Sequence, residues 1–262
     1  MQEKPPEKTG VSVKKLEHLK EGISPIMACV GTAEDFMYDG KINWLRVEKE
    51  INYAHNVDFD EKSSVAYKKE GFKNDGMGSY VISPLDGIDK YSRDYYDCTG
   101  VILAGKEKKT GKNVSVMSHQ NPAYFLEKDS QRFADDLVNR LDEIKEKCEE
   151  KTIDVVIFGG IYAKVRNFKE QDPNSDMYVQ IYLKSIKFLS EIIQNSLGFE
   201  PIVIMGPKTN APGSDLAFFD NDAKKLFLMR DGSGLGVPES YMPNELEEIS
   251  KTWKRGEWGL PI

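Results

Sequence analysis

The stretch "CTGVILAGKEKKTGKNVSVMSHQ", residues 98–120, decides how the chain is read. Two apolar runs, "CTGVILAG" and "NVSVMSHQ", flank a charged segment, "KEKKTGK", whose Thr-Gly marks a turn. Strand-like runs separated by a glycine-bearing turn predict a β-hairpin. A cysteine opens the first run and a histidine ends the second, in a chain with only three of each. With the turn near 107–112, strands of about eight residues fold these ends together, in neighbours about 4.8 Å apart. A thiolate, not a thiol, is the nucleophile, and an imidazole within hydrogen-bond reach generates it. Cys98 and His119 are therefore a candidate nucleophile and base, provided that both side chains share a face. The competing reading is a buried cysteine beside a satisfied edge histidine.

Working outward, "SYVIS" before the hairpin predicts a strand cut off by Pro84, and "PLDGIDKYSRDYYD" reads as turn-rich. After the connector "NPAYFLEKD", Asp129 is an expected N-cap for a helix with Phe133, Leu137, Val138, Leu141, Ile144 and Cys148 on one face. "TIDVVIFGG" predicts a strand buried on both faces. A second amphipathic helix is expected from Met177 to Leu197, with Tyr182, Ile186, Leu189 and Ile193 inward and Gly198 ending it. "EPIVIMG" predicts another strand, and "DLAFFDNDAKKLFLMRD" a hairpin turning at "DNDAKK". Strands in clusters with two helices between them predict an α+β fold: a mixed β-sheet or sandwich core against two long amphipathic helices.

Residues 1–75 read as a charged, mostly helical N-terminal extension. Its helices would be "VSVKKLEHLKEG" and "NWLRVEKEINYAHN", with "ISPIMACVG" a short buried strand and "EKSSVAYKKEGFKNDGMG" a loop or boundary. Residues 76–235 form the expected catalytic domain, and 236–262 a tail with a short helix, "PNELEEISKTWKR". The net charge of −7 offers no basic footprint for nucleic acid. No apolar leader opens the chain, and no run reaches the roughly 18 apolar residues of a membrane span. Few, unclustered cysteines argue against a disulfide scaffold and for a reducing, cytoplasmic setting, with export by a route lacking such a leader left open.

From Asp97 to Asp231 the order of elements resembles the chemoreceptor glutamine deamidase family, CheD, to which the cytotoxic necrotising factor toxins are distantly similar in chemistry. The likeness rests on Cys98 opening "CTGVILAG", His119 in "MSHQNP" with Pro122 following, "DVVIFGGIYA" after the first helix, and the closing "PIVIMGPKTNAPGSDLAFFDNDAKKLFLMRD". It covers about half the chain. The resemblance implies a CheD-like fold and a protein substrate presenting an accessible glutamine, with no cofactor. It also implies that Cys98 attacks the side-chain amide to form a thioester, with His119 as acid and base. The family carries a hydroxyl residue, usually threonine, six positions before the cysteine to orient the histidine; Ser92 stands there in this chain. Peptide N–H groups at Cys98 and Thr99 are candidate oxyanion donors. "YYD" before the cysteine and "SVMS" before the histidine depart from the family's small residues, which points to a different target protein.

Other motifs weigh less. His18 and His55 are isolated, and no Cys-x-x-Cys or His-x-x-x-His occurs, so no metal site is expected. Cys29 and Cys148 read as packing residues. "RDGSGLGVP" lacks the lysine and helix of a phosphate loop. Arg166 or Lys164, after the strand "DVVIFGG", are solvated by default and are candidate contacts to a protein. The expected activity is glutamine deamidation; the alternatives are a catalytically inactive binding module and a small-amide hydrolase using the same dyad.

Overall fold

In the computed structural model, which describes residues 14–16, 25–32, 54–58, 64–65, 79–95, 98–160, 175–205 and 214–231, the hairpin sets the layers. Strands β7 (Thr99–Lys106) and β8 (Asn113–Gln120) pair antiparallel, Thr99 opposite Gln120 and Lys106 opposite Asn113. The turn closes with the Gly111 N–H donating to the Glu107 carbonyl at 2.8 Å. Successive side chains alternate between faces. Val101, Leu103, Val114 and Val116 enter one apolar layer, whereas Ile102, Ala104 and Met117 enter another. Both faces of the hairpin are thus buried, which is why its strands read as nearly continuous apolar runs.

Around the hairpin, a six-stranded sheet has the order β10-β9-β7-β8-β5-β4. Its other members are β4 (Ser64–Val65), β5 (Tyr80–Ile82), β9 (Asp154–Gly159) and β10 (Ile202–Met205), with β9 and β10 parallel. Helices α1 (Pro122–Lys128), α2 (Ser130–Lys147) and α3 (Ser175–Leu197) supply Phe125, Phe133, Leu137, Leu141, Ile144, Ile186, Leu189 and Ile193 to the layer over one face. Each such side chain contributes about 1.5–3 kcal/mol by leaving water.

A second six-stranded sheet covers the other face, in the order β1-β2-β12-β11-β6-β3. It comprises β1 (Lys14–Leu16), β2 (Met27–Thr32), β3 (His55–Asn56), β6 (Lys90–Tyr95), β11 (Ser214–Asp220) and β12 (Lys225–Asp231). Ile26, Ala28, Val30, Val57, Ala217, Phe219, Leu226 and Leu228 meet Ile102, Met117, Val156 and Phe158 between the sheets. The described residues therefore form an α+β fold of three layers: helices, sheet, sheet.

The expected helix "VSVKKLEHLKEG" is corrected where it is described: Lys14–Leu16 is a strand paired antiparallel with β2. Its apolar spacing suits a helix, yet pairing along the edge of β2 satisfies peptide groups that a charged helix would leave unpacked. Of the second expected helix, His55–Asn56 is a strand parallel to β6, and residues 43–53 lie outside the described residues. Within the expected loop, Ser64–Val65 pairs with β5. "DKYSRDYYD" contains β6 rather than only turns, because its buried side chains include Lys90 and Ser92, and polar residues hide the period of two. Helix α1 was not expected; Asn121 caps it by accepting the Ala123 N–H at 3.0 Å, and Pro122 opens it. Asp129 does sit at the N-terminus of α2, but its carboxylate takes the Ser79 hydroxyl instead of capping. The remaining helix and strand expectations hold, including Gly198 at the end of α3 with φ 76°. His18, Lys164, Arg166, the glycine-rich "GSGLG" and the tail helix lie outside the described residues.

Two outcomes test this packing. A Cβ at Gly100 would stand 2.4 Å from the Phe158 ring and 2.9 Å from the Tyr95 ring. Gly100→Ala should therefore destabilise the fold by about 1–3 kcal/mol in urea unfolding. At the far end of the sandwich, Lys224 in the β11–β12 turn donates its ammonium to the Thr152 carbonyl. Burial pushes Lys224 down to about 8, against the pull of the Asp154 carboxylate. Below that pH both folded and unfolded chains hold the proton, and the burial cost is present in full. From about 8 to the ordinary 10.5 the unfolded chain holds more protons, so stability rises with pH. Relative to Lys224→Met, the wild type should gain about 1–2 kcal/mol of unfolding free energy between roughly pH 7 and 9.5; a flat difference would contradict the assignment.

Candidate active site

His119 lies near the end of β8, opposite Val81 of β5, and is 2% exposed. Cys98 immediately precedes β7 and is 1% exposed; none of the three cysteines is in a disulfide. The hairpin register decides their relation. Thr99 opposes Gln120 and Ile102 opposes Met117, so His119 stands across from Gly100, one residue pair in from the end. Cys98 shares the parity of Gly100 and Ile102 and packs in the layer between the sheets, on the side that His119 faces. Cysteine and histidine are diagonal neighbours on one face, the relation in which Cβ atoms lie about 7 Å apart.

Gly159 helps hold the cysteine. Its φ of 87° belongs to glycine, and a Cβ there would stand 2.9 Å from the Cys98 carbonyl oxygen. Thr99 is flanked in the sheet by Gln120 and Gly159, and its hydroxyl accepts the Gln120 side-chain amide at 3.1 Å. The Thr99 side chain therefore faces the helices, away from His119. Only its peptide group remains for any part in chemistry.

The opposite sheet supplies the partners of His119. The Ser92 Oγ is 3.0 Å from Nδ1, so the structure brings the sequence-predicted serine to the imidazole. The Asp58 Oδ1 lies 2.9 Å from the same nitrogen and is the residue that sequence reading missed. Ser92 in turn donates to the Asp58 carboxylate, at 2.8 Å to Oδ1 and 2.9 Å to Oδ2. A carboxylate only accepts, so Nδ1 carries its proton toward Asp58, and in a neutral imidazole the lone pair then sits on Nε2. Nε2 is buried and has no hydrogen-bond partner among the described residues.

Local chain geometry places Asp58. The short strand β3 pairs with β6, and the Val57 N–H donates to the Tyr91 carbonyl at 3.0 Å. Val57 is buried between the sheets, and the Asn56 side chain accepts the Asp58 N–H at 3.1 Å, an Asx turn that directs the next carboxylate. "NVD" is a common turn sequence, so the only available signal was a valine flanked by Asn and Asp at the end of a segment that reads as helix.

A β-bulge places Ser92. Along β11, Asp215 opposes Tyr95 and Ala217 opposes Ser92, so Arg93 and Asp94 together face Leu216. The extra residue resets the alternation of β6. Ser92 and Tyr95, three apart, consequently both turn inward and both touch His119: the Tyr95 ring stacks on the imidazole with centroids 4.1 Å apart and 26° between planes. Burial raises the Tyr95 hydroxyl well above its ordinary range, with the Asp58 charge adding to the effect. It stays a neutral donor, bonded to the Ser118 carbonyl at 3.0 Å.

The arrangement can hold an imidazole with Nδ1 occupied and Nε2 open, in a layer that also contains the Cys98 thiol, although Nε2 makes no hydrogen bond to it. His55 belongs to β3. Among the described residues no group of three or more His, Cys, Asp or Glu side chains converges to hold a metal ion, and no helix is long and apolar enough to cross a membrane.

Asp58→Asn presents an amide that can donate to Nδ1, moving the imidazole proton to Nε2. Alkylation of Cys98 by iodoacetamide at neutral pH should fall about tenfold or more. Ser92→Ala, which leaves the carboxylate, should slow it only severalfold. Peptide mass spectrometry reads the three cysteines in one sample, with Cys29 and Cys148 as internal references; equal rates for Asp58→Asn and wild type would remove Asp58 from the site. Compared with known proteins, the chain matches no protein-family model and no curated protein sequence.

Proposed function

We propose that the chain is a cysteine-dependent amidohydrolase of CheD-like type that converts an accessible glutamine side chain of a target protein to glutamate. The observation that carries this reading is the bonding of His119: Asp58 and Ser92 occupy Nδ1, Nε2 is left without a hydrogen-bond partner among the described residues, and Cys98 packs in the same layer between the sheets.

In the reaction, Nε2 takes the Cys98 thiol proton and Sγ attacks the carboxamide carbon. The Cys98 peptide N–H, with that of Thr99, donates to the oxyanion, a contribution commonly worth about 3–4 kcal/mol. The imidazolium then protonates the leaving nitrogen, ammonia departs, and a thioester remains. Nε2 next deprotonates water, the hydroxide attacks the thioester, and glutamate leaves as the thiol recovers its proton. Asp58 stabilises the imidazolium in both halves without taking the proton itself. Ser92 ties the carboxylate to the ring.

Access is the demanding part of this mechanism. Cys98 and His119 are almost wholly buried, so a glutamine side chain reaches Sγ only when the cover opens, and turnover is gated by that opening. The same burial favours the second reading, a catalytically inactive binding module that keeps the fold.

Incubation of candidate target proteins with the chain, followed by peptide mass spectrometry, separates the two. A gain of about one dalton at a glutamine should accumulate with the wild type and fall more than a hundredfold with Cys98→Ala or His119→Ala. Free glutamine in place of the protein tests the small-amide alternative. No Cys98-dependent deamidation, together with a Cys98 that alkylates no faster than Cys29 and Cys148, would leave only the binding module.

A further inference from the structure

We infer that Tyr95 is a positioning residue for His119: a stacked aromatic platform that fixes the plane of the imidazole and favours its protonated form during turnover. This deepens the amidohydrolase reading and rests on it for its place in catalysis, although the contact itself does not.

The argument begins with the backbone. Without the bulge at Arg93 and Asp94, alternation from Ser92 would turn Tyr95 to the outer face, beside Tyr91. The bulge sacrifices regular pairing at that point, and what it delivers is a pair of contacts to one ring. Ser92 meets the imidazole at its edge, and Tyr95 meets it on its face.

The tyrosine is itself clamped. Phe158 of β9 packs edge-on against it, with centroids 5.0 Å apart and planes at 67°. Its hydroxyl donates to the carbonyl of Ser118, the residue before His119. Ser118 also accepts the Val101 N–H through its side-chain oxygen at 3.0 Å. Tyr95 thus holds both the ring of His119 and the peptide group leading into it, across the gap between the sheets.

An aromatic face attracts a cation within about 6 Å, most strongly where water is excluded. In the proposed reaction His119 passes from neutral to cationic as it takes the thiol proton, and the stack is stronger in the cationic form. That difference supports the chemical step and does more than pack. Among the described residues, the titratable groups around the ring are Asp58 beyond β3, Tyr95 on β6 and Cys98 ahead of β7, and Asp215 of β11 is the register partner of Tyr95.

The test varies the ring's charge distribution at constant shape. The full chain is made with phenylalanine at position 95, and then with phenylalanines bearing one, two and three ring fluorines, which progressively deplete the face. The acid limb of the pH–rate profile for Cys98 alkylation by iodoacetamide is followed in each, alongside Tyr95→Leu. The limb should move toward lower pH as fluorines are added, by about one pH unit across the series, because a depleted face holds the imidazolium less well. Tyr95→Phe should keep the wild-type midpoint but react severalfold more slowly, because the Ser118 anchor is lost. In proton NMR, the His119 ring signals should be shifted upfield by the stack in wild type and Tyr95→Phe, and revert in Tyr95→Leu. Asp58→Asn serves as a control that alters the profile without altering the ring-current shift.

A flat fluorine series would overturn the electrostatic role, and unchanged His119 signals in Tyr95→Leu would overturn the stack. Should Tyr95→Leu not fold, the fluorinated series decides alone. A graded series with no deamidation of any target sinks the hydrolase reading and leaves this inference standing; deamidation with a flat series does the reverse.

Discussion

A histidine ring buried between two β-sheets has two polar nitrogens and no water to satisfy them. Leaving such a group without a partner in the interior costs about 1–3 kcal/mol. The fold satisfies one nitrogen, Nδ1, from the opposite sheet, through Asp58 and Ser92. Much else near the site follows from that bond. The strand β3 pairs with β6 beside the site, Val57 anchors the turn, and β6 bulges so that serine and tyrosine reach the same ring. The other nitrogen, Nε2, is left without a hydrogen-bond partner among the described residues, and a buried polar atom left at such a cost calls for an explanation.

The groups that meet at the imidazole come from separate parts of the chain. Cys98 and His119 belong to one hairpin, Ser92 and Tyr95 to β6, and Asp58 to a turn far earlier in sequence. A side chain held by neighbours on two sheets cannot swing as a solvated one does, and such preorganisation is where much of an enzyme's rate enhancement resides. The same packing closes the site. Rigidity around His119 and the burial of Cys98 share one cause, the packing of the two sheets against each other.

The hairpin was legible because both its strands are buried on both faces, and composition alone reports that. The two long helices were legible for the related reason that Phe133, Leu137, Leu141 and Ile144, and likewise Tyr182, Ile186, Leu189 and Ile193, follow the helical period. Ser92 was reached through the resemblance to a family that carries a hydroxyl residue six positions before its cysteine, and the structure brings it to His119. Strand β6 was not legible: a bulge interrupts its alternation, and buried Lys90 and Ser92 make it look solvated. Lys90 is tolerable there because the Ile88 carbonyl at 2.7 Å and the Asp86 carboxylate take its ammonium. Asp58 lies two residues past a segment whose charge and spacing suggested a helix, and nothing local to it marks a partner in another sheet.

By itself, the sequence determined the class of the fold, the hairpin that carries Cys98 and His119, and the apolar faces of the helices, since each follows from local periodicity or from burial on both sides. Only the tertiary structure decided that cysteine and histidine share a face. It alone decided that a carboxylate far off in sequence selects the histidine's tautomer, and that a bulge turns Tyr95 onto the ring. The physical reason is that hydrophobic burial leaves a periodic trace along the chain, whereas a hydrogen bond across two sheets depends on register and on one extra residue in a strand. A composition-based reading averages over both.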